Sequence, residues 1–364
     1  EAESTSAFDS VGSRISIHAS RNQVLRIQGV DSDSVNWGWI SDKERFIFEA
    51  FSNVDRLDTP LINKKETENS QQDKSSWPES LKAAASALRE TSSDRIAILG
   101  GSRLTNESQY AWTKVAKGIL GTDNIDAQMG DGLSPEFLLG LPRATINDAC
   151  KPGGTIVLLG PDPKEELGSL YLRLRHAVVH DGATLIELTP TSTGLTPYAA
   201  HSLRVRPGET TEVVQSMFGE GGVAPIGGVD PEDAKKAGSL LQAADSVTVL
   251  LGRSSLAETE GPVIDAALAL HDRLADVQFL SLIRRGNIHG AFDMGMAPNL
   301  LPGRTTLISH QASIKEIWPT LPTTRGHDAV QIIESAAEGK IDVLVLLGAD
   351  PLNDFPDKSL ARYL

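Results

Sequence analysis

The sequence predicts an α/β protein whose parallel sheets are covered by helices, together with a small β-rich domain at the N-terminus. Two observations favour this fold class. From Trp77 onward, short apolar strands alternate with segments of helical periodicity, and repeated strand–helix–strand units are typical of parallel sheets. Residues 1–62 lack this alternation and contain a predicted hairpin instead.

The N-terminal part contains two short segments in which apolar and polar residues alternate, Arg14–Ala19 and Gln23–Gln28. A polar turn at Ser20–Asn22 separates them, and this pattern predicts a β-hairpin. Glu44–Phe51 has apolar residues at helical spacing. The polar stretch Asn63–Ser76 follows, rich in Lys, Glu, Gln and Ser, and it predicts a domain boundary.

The remainder of the chain is predicted to alternate between strands and helices. The predicted strands are Arg95–Leu99, Thr155–Leu159, Ala183–Leu188, Val247–Leu251, Val277–Leu280 and Asp342–Leu347. The predicted helices are Ser80–Arg89, Glu107–Ile119, Glu165–Val179, Pro231–Ala243, Pro262–Leu274 and Asp328–Glu338. Ligands of such folds bind outside the carboxyl ends of the strands, so any site is expected among the turns there. Those turns are Gly100–Ser102, Gly160–Pro163, Gly252–Ser255 and Gly348–Pro351.

Composition limits the classes of function. The 364 residues include 34 basic and 48 acidic side chains, a net charge of −14, and no basic cluster indicates a nucleic-acid interface. No apolar stretch reaches the ~18–20 residues that a membrane span requires. The single cysteine, Cys150, excludes an internal disulfide and is compatible with a reducing cytoplasm. We expect Cys150 to be a half-buried structural thiol.

Other catalytic patterns are absent from the sequence or weak. There is no G-x-S-x-G, no strand-linked G-x-G-x-x-G and no P-loop, and the glycine-rich Gly219–Gly228 predicts a plain loop. His176 and His180 have the i, i+4 spacing of a metal-binding helix face. Without a third ligand, we expect surface or packing histidines. The turn Gly100–Arg103 is the best candidate phosphate cradle, because free N–H groups at a helix start favour an anion.

Several segments together carry a resemblance to a known family. They are Val35–Phe46, Asp55–Leu61, Gly101–Tyr110, Thr122–Asp126, Gly160–Asp162, Glu165–Leu167, Tyr171–Arg175, Asn287–Asp293, Leu301–Arg304 and Leu347–Pro351. In order and spacing they resemble the G-subunit family of bacterial NADH-quinone oxidoreductase (respiratory complex I), within the molybdopterin oxidoreductase superfamily. The resemblance covers nearly the whole chain.

The resemblance implies the molybdopterin oxidoreductase fold with a discontinuous domain order. Residues 1–62 would form a small domain of the iron–sulfur type. Residues 63–126 with 231–364 would form one α/β domain, and residues 127–230 a second α/β domain inserted into it. The family also implies an upstream ferredoxin-like region that carries iron–sulfur clusters, which we expect to be missing from this fragment.

The small domain of this family often holds a tetranuclear iron–sulfur cluster on cysteines spaced C-x2-C-x3-C-x27-C, since soft thiolates bind iron strongly. The matching positions here are Ser6, Asp9, Ser13 and Ser41. Hydroxyls and a carboxylate are hard, weak ligands for a cluster. We therefore expect a degenerate site without a cluster, formed by polar turn residues, and a solvated or salt-bridged Lys43.

Catalytic members of the superfamily bind molybdenum through a Cys, selenocysteine, Ser or Asp that follows the segment matching Asn124–Asp126. Asp131 is the candidate in this chain, but its flanking glycines favour a turn.

In catalytic relatives two further segments lie near the pterin. By resemblance they correspond here to the turn of Gly100, Gly101 and Ser102 and to the segment with Asn287 and Gly290. We interpret them as a vestigial pocket and expect no cofactor in this chain.

The resemblance thus implies a structural scaffold rather than a catalyst. It would support the cluster-bearing upstream region and contact other subunits of the peripheral arm of complex I. It would lie in the cytoplasm, peripheral to the inner face of the cell membrane, without membrane insertion. Two alternatives stay open. One is an active molybdopterin-dependent oxidoreductase with Asp131 in the metal shell, and the other is a binding module for a phosphorylated ligand at Gly100–Arg103.

Overall fold

The computed structural model describes residues 1–51, 53–63, 72–219, 224–256 and 258–362. The predicted boundary stretch and the glycine-rich loop therefore lie partly outside the described residues. The chain divides into two compact units. The first comprises Glu1–Arg45 with Asp131–His289, and the second comprises Phe46–Gly130 with Gly290–Leu364.

The strands are numbered in chain order. They are β1 (Ala2–Thr5), β2 (Arg14–Ser20), β3 (Gln23–Gly29), β4 (Leu61–Asn63), β5 (Gln72–Lys74), β6 (Ile96–Gly100), β7 (Ile125–Asp126), β8 (Thr155–Leu159), β9 (Thr184–Thr189), β10 (His201–Arg204), β11 (Val247–Leu251), β12 (Gln278–Ser281), β13 (Leu300–Leu301), β14 (Thr305–Thr306) and β15 (Val343–Leu347).

The α-helices follow the same convention. They are α1 (Asp42–Phe46), α2 (Phe48–Phe51), α3 (Trp77–Glu90), α4 (Asn106–Thr113), α5 (Pro135–Gly140), α6 (Ile146–Ala149), α7 (Pro163–Glu166), α8 (Gly168–His180), α9 (Thr210–Met217), α10 (Pro231–Gln242), α11 (Gly261–Arg273), α12 (Ile288–Asp293), α13 (Leu307–Lys315), α14 (Ala329–Ala337), α15 (Pro351–Asp354) and α16 (Lys358–Ala361). Short 3₁₀-helices occur at Ser93–Arg95 and Thr196–Tyr198.

The first unit begins with the antiparallel sheet β1-β2-β3. The predicted hairpin is confirmed as β2 and β3. Arg21 and Asn22 between them have φ values of 49° and 63°. Two central residues with positive φ are typical of the tight turns whose twist matches that of paired strands.

The main sheet of the first unit is parallel, with the order β10-β9-β8-β11-β12. Every residue of β8 and β11 is buried, as expected for central strands covered on both faces. On one face, Val157 and Val249 belong to the core that contains residues of α9, α10 and α11. On the other, Leu158 and Leu250 belong to the core with Leu170 of α8.

The pairing of β11 and β12 differs from the expected domain boundary. We expected residues 231–364 to join the domain of residues 63–126. Instead, Val247–Leu251 pairs in parallel with Thr155–Leu159, and β12 pairs with β11. The part of the chain up to His289 therefore groups with the inserted segment. Strand pairing decides which sheet a strand joins, and order along the chain does not reveal it.

The second unit is built on the parallel sheet β15-β6-β7. Its core joins Leu99 of β6 to Ile332 and Ile333 of α14. The helix predicted over Glu107–Ile119 is α only in its first part and continues as a π-helix, Lys114–Leu120. Within the described part of the chain, no helix is long and apolar enough to cross a bilayer.

Candidate functional site

The first unit brings the four predicted cluster positions into one polar site. Ser6, Asp9 and Ser13 lie in the loop between β1 and β2, and Ser41 precedes α1. The Ser6 N–H donates to the Ser13 carbonyl at 2.8 Å. Ser6, Asp9 and Ser13 are all buried, at 5%, 5% and 0% exposure, whereas Ser41 is half-buried. Ser13 bonds to Ser169, and a Cβ on the preceding Gly168 would lie 3.4 Å from the Ser41 Cβ, so Ser41 is close to the loop.

Asp9 organises the loop through its carboxylate. Its Oδ1 accepts hydrogen bonds from the N–H groups of Gly12 and Ser13, at 3.0 and 3.2 Å. The Ser13 hydroxyl donates to Asp9 Oδ2 and also lies 3.0 Å from Ser169 Oγ on α8. Gly12 has a φ of 78°, a left-handed conformation that glycine adopts without strain. The loop is thus fastened both to itself and to α8.

Glu44 is a site residue that the sequence reasoning missed. The Ser41 Oγ accepts from the Glu44 N–H at 3.3 Å, and Glu44 Oε2 accepts from the Ser41 N–H at 2.7 Å. These reciprocal bonds form a capping box, and the S-x-x-E spacing was a signal that could have indicated it. Glu44 is only 2% exposed, and its Oε1 has no hydrogen-bond partner within the described residues.

Asp9 and Glu44 are neighbours at this site. The loop of Asp9 bonds to Ser169 through Ser13, and a Cβ on the preceding Gly168 would lie 3.4 Å from Cβ of Ser41, which is bonded to Glu44. Burial, and next the charge of Glu44, raises the pKa of Asp9 to about 6, although hydrogen bonds from Ser13 oppose the rise. In the described part of the chain, no Lys, Arg or His forms an ion pair with either carboxylate. The site is therefore a buried pair of carboxyl groups without a basic partner among the described residues.

Asp131 occupies a different, basic environment in the same unit. Its Oδ1 accepts a hydrogen bond from Arg285 at 2.8 Å, and its Oδ2 lies 3.5 Å from Arg284. Arg284 also forms an ion pair with Glu166 at 2.6 Å. Arg285 thus hydrogen-bonds Oδ1, whereas Oδ2 is buried without a hydrogen-bond partner among the described residues. The two guanidinium charges beside Asp131 oppose a metal cation at this position.

The proposed phosphate cradle lies in the second unit, in the turn after β6. Gly100 and Gly101 have φ values of 92° and 93°. A Cβ on Gly100 would lie 2.6 Å from Ala349 Cβ, and a Cβ on Gly101 would lie 2.5 Å from Met296 Cε. Ser102 is buried at 2% exposure. Close packing against the chain's own side chains explains this glycine pair, so the turn needs no ligand to account for it.

The second segment of the vestigial pocket is divided between the units. Asn287 belongs to the first unit, whereas Gly290 belongs to the second. The pocket that would combine them with Gly100, Gly101 and Ser102 remains a prediction.

The remaining candidates behave as packing or surface residues. Cys150 is half-buried, and burial raises the pKa of its thiol to about 11. The His176 ring packs edge-on against Trp37 at 5.1 Å and lies 4.8 Å from the His180 ring. Lys43 is exposed and donates to a backbone carbonyl of α7 at 3.3 Å. Among the described residues, no group of three His, Cys, Asp or Glu side chains could hold a metal ion.

Two family models match this chain. Residues 1–49 match the NADH-ubiquinone oxidoreductase NDSU1/NuoG-like 4Fe-4S domain, and residues 56–362 match the molybdopterin oxidoreductase family. The chain belongs to the molybdopterin oxidoreductase family. Its match to a 4Fe-4S domain runs against the expected absence of a cluster. The four positions nevertheless carry only hydroxyls and a carboxylate, a donor set that does not fit a cluster that needs thiolates.

Curated relatives in this family are longer proteins. The G subunit of NADH-quinone oxidoreductase from Streptomyces coelicolor is 30% identical, over 94% of this chain and 42% of the relative. The alpha subunit of the NADPH-Fe(3+) oxidoreductase from Geobacter sulfurreducens is 27% identical, over 98% and 46%. A putative formate dehydrogenase of Bacillus subtilis is 24% identical, over 94% and 40%. The chain thus spans less than half the length of these relatives.

A solved structure supports the family fold. Acetylene hydratase from Pelobacter acetylenicus matches with a TM-score of 0.68 at 12% identity, over 99% of this chain and 59% of that chain. At this identity the match concerns the fold alone. The predicted fold class, parallel-sheet α/β units with a small antiparallel N-terminal sheet, is confirmed.

Proposed function

We propose that the chain is a structural part of a G-type subunit of NADH:quinone oxidoreductase whose iron–sulfur and molybdenum sites have been lost. The observation that carries the proposal is the set of side chains at the four cluster positions. Three hydroxyls and one carboxylate stand where the family's cluster domain needs thiolates.

The environment of Asp131 supports the same proposal. Arg285 hydrogen-bonds one oxygen of Asp131 and Arg284 lies 3.5 Å from the other, and two positive charges at this distance oppose the binding of a metal cation. Without a cluster or a metal ligand, the fold would act by supporting the other parts of a longer protein and by contacting neighbouring subunits. The G-subunit names of relatives from Streptomyces and Mycobacterium support this assignment. The location that follows is the cytoplasmic side of the cell membrane, peripheral to it.

A host strain that lacks the gene for the full-length protein tests the scaffold role. We expect its membranes to lose NADH:quinone oxidoreduction and to regain it with the wild-type gene. The variant Asp131→Asn keeps the shape of the side chain and removes the charge that a metal ligand would need. It should restore the activity fully if the chain is a scaffold. Assembly is checked by co-purification of the complex through a tag. An assembled complex that stays inactive with Asp131→Asn would contradict the proposal.

The second candidate is an active molybdopterin-dependent oxidoreductase. It is supported by the family match over residues 56–362 and by a relative named as a putative formate dehydrogenase. Molybdenum or tungsten near one atom per chain in the full-length protein, purified anaerobically from its host, would favour this candidate. Absence of both metals from an assembled complex would favour the scaffold.

A further inference from the structure

The site at the cluster positions has an unbalanced charge. Asp9 and Glu44 are 5% and 2% exposed, and the loop of Asp9 and the start of α1 meet at Gly168 and Ser169 of α8. Burying one carboxylate without a counter-charge is costly, and burying two side by side is more so. Within the described residues no basic side chain compensates them. Either protons or a bound cation must therefore supply positive charge here.

The hydrogen bonds leave acceptor positions unused on both carboxyl groups. Each carboxylate oxygen can accept about two hydrogen bonds. Asp9 Oδ2 accepts one, from the Ser13 hydroxyl. Glu44 Oε2 accepts one, from the Ser41 N–H. Glu44 Oε1 accepts none from the described residues, although it is buried. A buried oxygen of this kind needs a donor or a cation that the described residues do not supply.

We propose that Asp9 and Glu44 bind a hard divalent cation, Mg²⁺ or Ca²⁺, at the position where relatives of the cluster type hold iron and sulfur. Two carboxylates match the charge of one divalent ion. Carboxylate, hydroxyl and carbonyl oxygens are the ligands that Mg²⁺ and Ca²⁺ prefer. Thiolates hold the iron of an iron–sulfur cluster, whereas oxygen ligands at the same positions favour a hard ion such as Mg²⁺ or Ca²⁺. This inference rests on the proposed absence of a cluster.

The cation would take over the structural part of the cluster's role. Asp9 belongs to the loop between β1 and β2, whereas Glu44 belongs to α1 and is bonded to Ser41. The same loop reaches α8 through Ser13 and Ser169. An ion held between Asp9 and Glu44 would therefore fasten the loop to α1 across about 35 residues of intervening chain. Binding only to the folded state would stabilise the fold.

Thermal unfolding of the whole chain tests the proposal directly. The protein is stripped with EDTA, dialysed at pH 7.5 and titrated with Mg²⁺, Ca²⁺ or Mn²⁺. We expect a saturable rise in Tm with at least one ion. We also expect one bound Mn²⁺ per chain by electron paramagnetic resonance. Asp9→Asn and Glu44→Gln, which keep the side-chain shapes, should abolish both signals. Asp42→Asn removes an exposed neighbouring carboxylate and serves as the matched control, which should keep both.

The variants remain informative without the cation. Removing one of two adjacent buried charges should leave the Tm of stripped Asp9→Asn at or above that of the stripped wild type. This shows that loss of ion binding is not loss of folding. A wild-type Tm that no ion changes, with no Mn²⁺ bound, would overturn the inference and leave a shared proton between the carboxyls. Binding that persists in both variants would overturn it as well. Iron with acid-labile sulfide in the purified chain would contradict the proposed function itself.

Discussion

Asp9 shows how one side chain changes the chemistry of a site. Its loop is held by the N–H groups of Gly12 and Ser13, and its carboxylate meets that of Glu44. A cysteine thiolate at this position would offer one soft sulfur to iron. Asp9 offers two hard oxygens and a titratable proton instead. The loop can therefore respond to hard ions and to pH.

The raised pKa of Asp9 predicts a pH-dependent stability when cations are removed with EDTA. In the folded chain this pKa is about 6, against an ordinary value of 3.8, so the folded state binds the proton more tightly. The stabilisation is complete below pH 3.8 and is lost as the pH rises through about 6. We expect the loss to be on the order of 2–3 kcal/mol.

The variant Asp9→Asn isolates this effect, because the amide cannot ionise. The difference in unfolding free energy between variant and wild type, measured with urea, should grow in favour of the variant from pH 4.5 to pH 7. Asp42→Asn should follow the wild-type curve over the same range. A difference between Asp9→Asn and wild type that does not change with pH would show that Asp9 is not a buried, proton-binding carboxyl.

Cys150 is predicted to be unreactive in the folded chain. Burial raises its pKa to about 11 from an ordinary value of 9.0, and only the thiolate is nucleophilic. At pH 8 the thiolate population should be lower by roughly 100-fold. Alkylation by iodoacetamide should therefore be slow in the native chain and fast in about 8 M urea, which unfolds the chain. Equal rates in the two conditions would contradict the buried position.

The resemblance indicated which residues stand at the cluster positions, but not how these residues bond to one another. Ser6, Asp9, Ser13 and Ser41 follow from the resemblance, through the spacing of the family's cluster cysteines. Glu44 could not be predicted as a site residue, because helical periodicity does not tell whether a charged residue at a helix start is buried. Its burial results from the capping box with Ser41 and from packing that only the fold defines.

Helix packing in the first unit gives a prediction at the scale of elements. Gly238 on α10 lies so close to α9 that a Cβ there would be 1.9 Å from the Met217 carbonyl oxygen. Gly238→Ala must force the two helices apart, and we expect it to destabilise the chain by about 2 kcal/mol or more. Urea unfolding measures the loss.

Gly261→Ala is the matched control for this change. Gly261 opens α11, and a Cβ there would lie 3.8 Å from Thr259 Oγ1, an ordinary contact. A glycine-to-alanine change in a compatible conformation is neutral or stabilising by up to about 1 kcal/mol. If both variants unfolded like the wild type, the close contact between α9 and α10 would be wrong.

The predicted elements agree best where a strand is fully buried. The bounds of Thr155–Leu159 and Val247–Leu251 match the structure, because continuous apolar runs of this length indicate central parallel strands. The strand His201–Arg204 was missed, since it lies at a sheet edge and carries polar residues. The π-helical turn at Lys114–Leu120 has no periodicity signal. The parallel pairing of β11 with β8 and β12 could not be predicted either, because strand order in a sheet is not visible along the chain.

The whole molecule combines the fold of its family with oxygen donors at the four positions that match the cluster cysteines. At 12% identity, the fold is shared with acetylene hydratase over 99% of this chain, so fold alone does not define chemistry. The family relation is shown by the match over residues 56–362. The activity must instead be argued from the side chains at Asp9, Glu44 and Asp131. Those side chains are oxygen donors, either paired with each other or engaged by arginine.

Iron and acid-labile sulfide in the anaerobically purified chain test the central claim most directly, namely that no iron–sulfur cluster is bound. The positive control is the variant Ser6→Cys, Asp9→Cys, Ser13→Cys and Ser41→Cys, reconstituted under the same conditions. The account predicts no bound iron or sulfide in the wild type and close to four iron atoms per chain in the variant. Iron and sulfide at that level in the wild-type chain would contradict it.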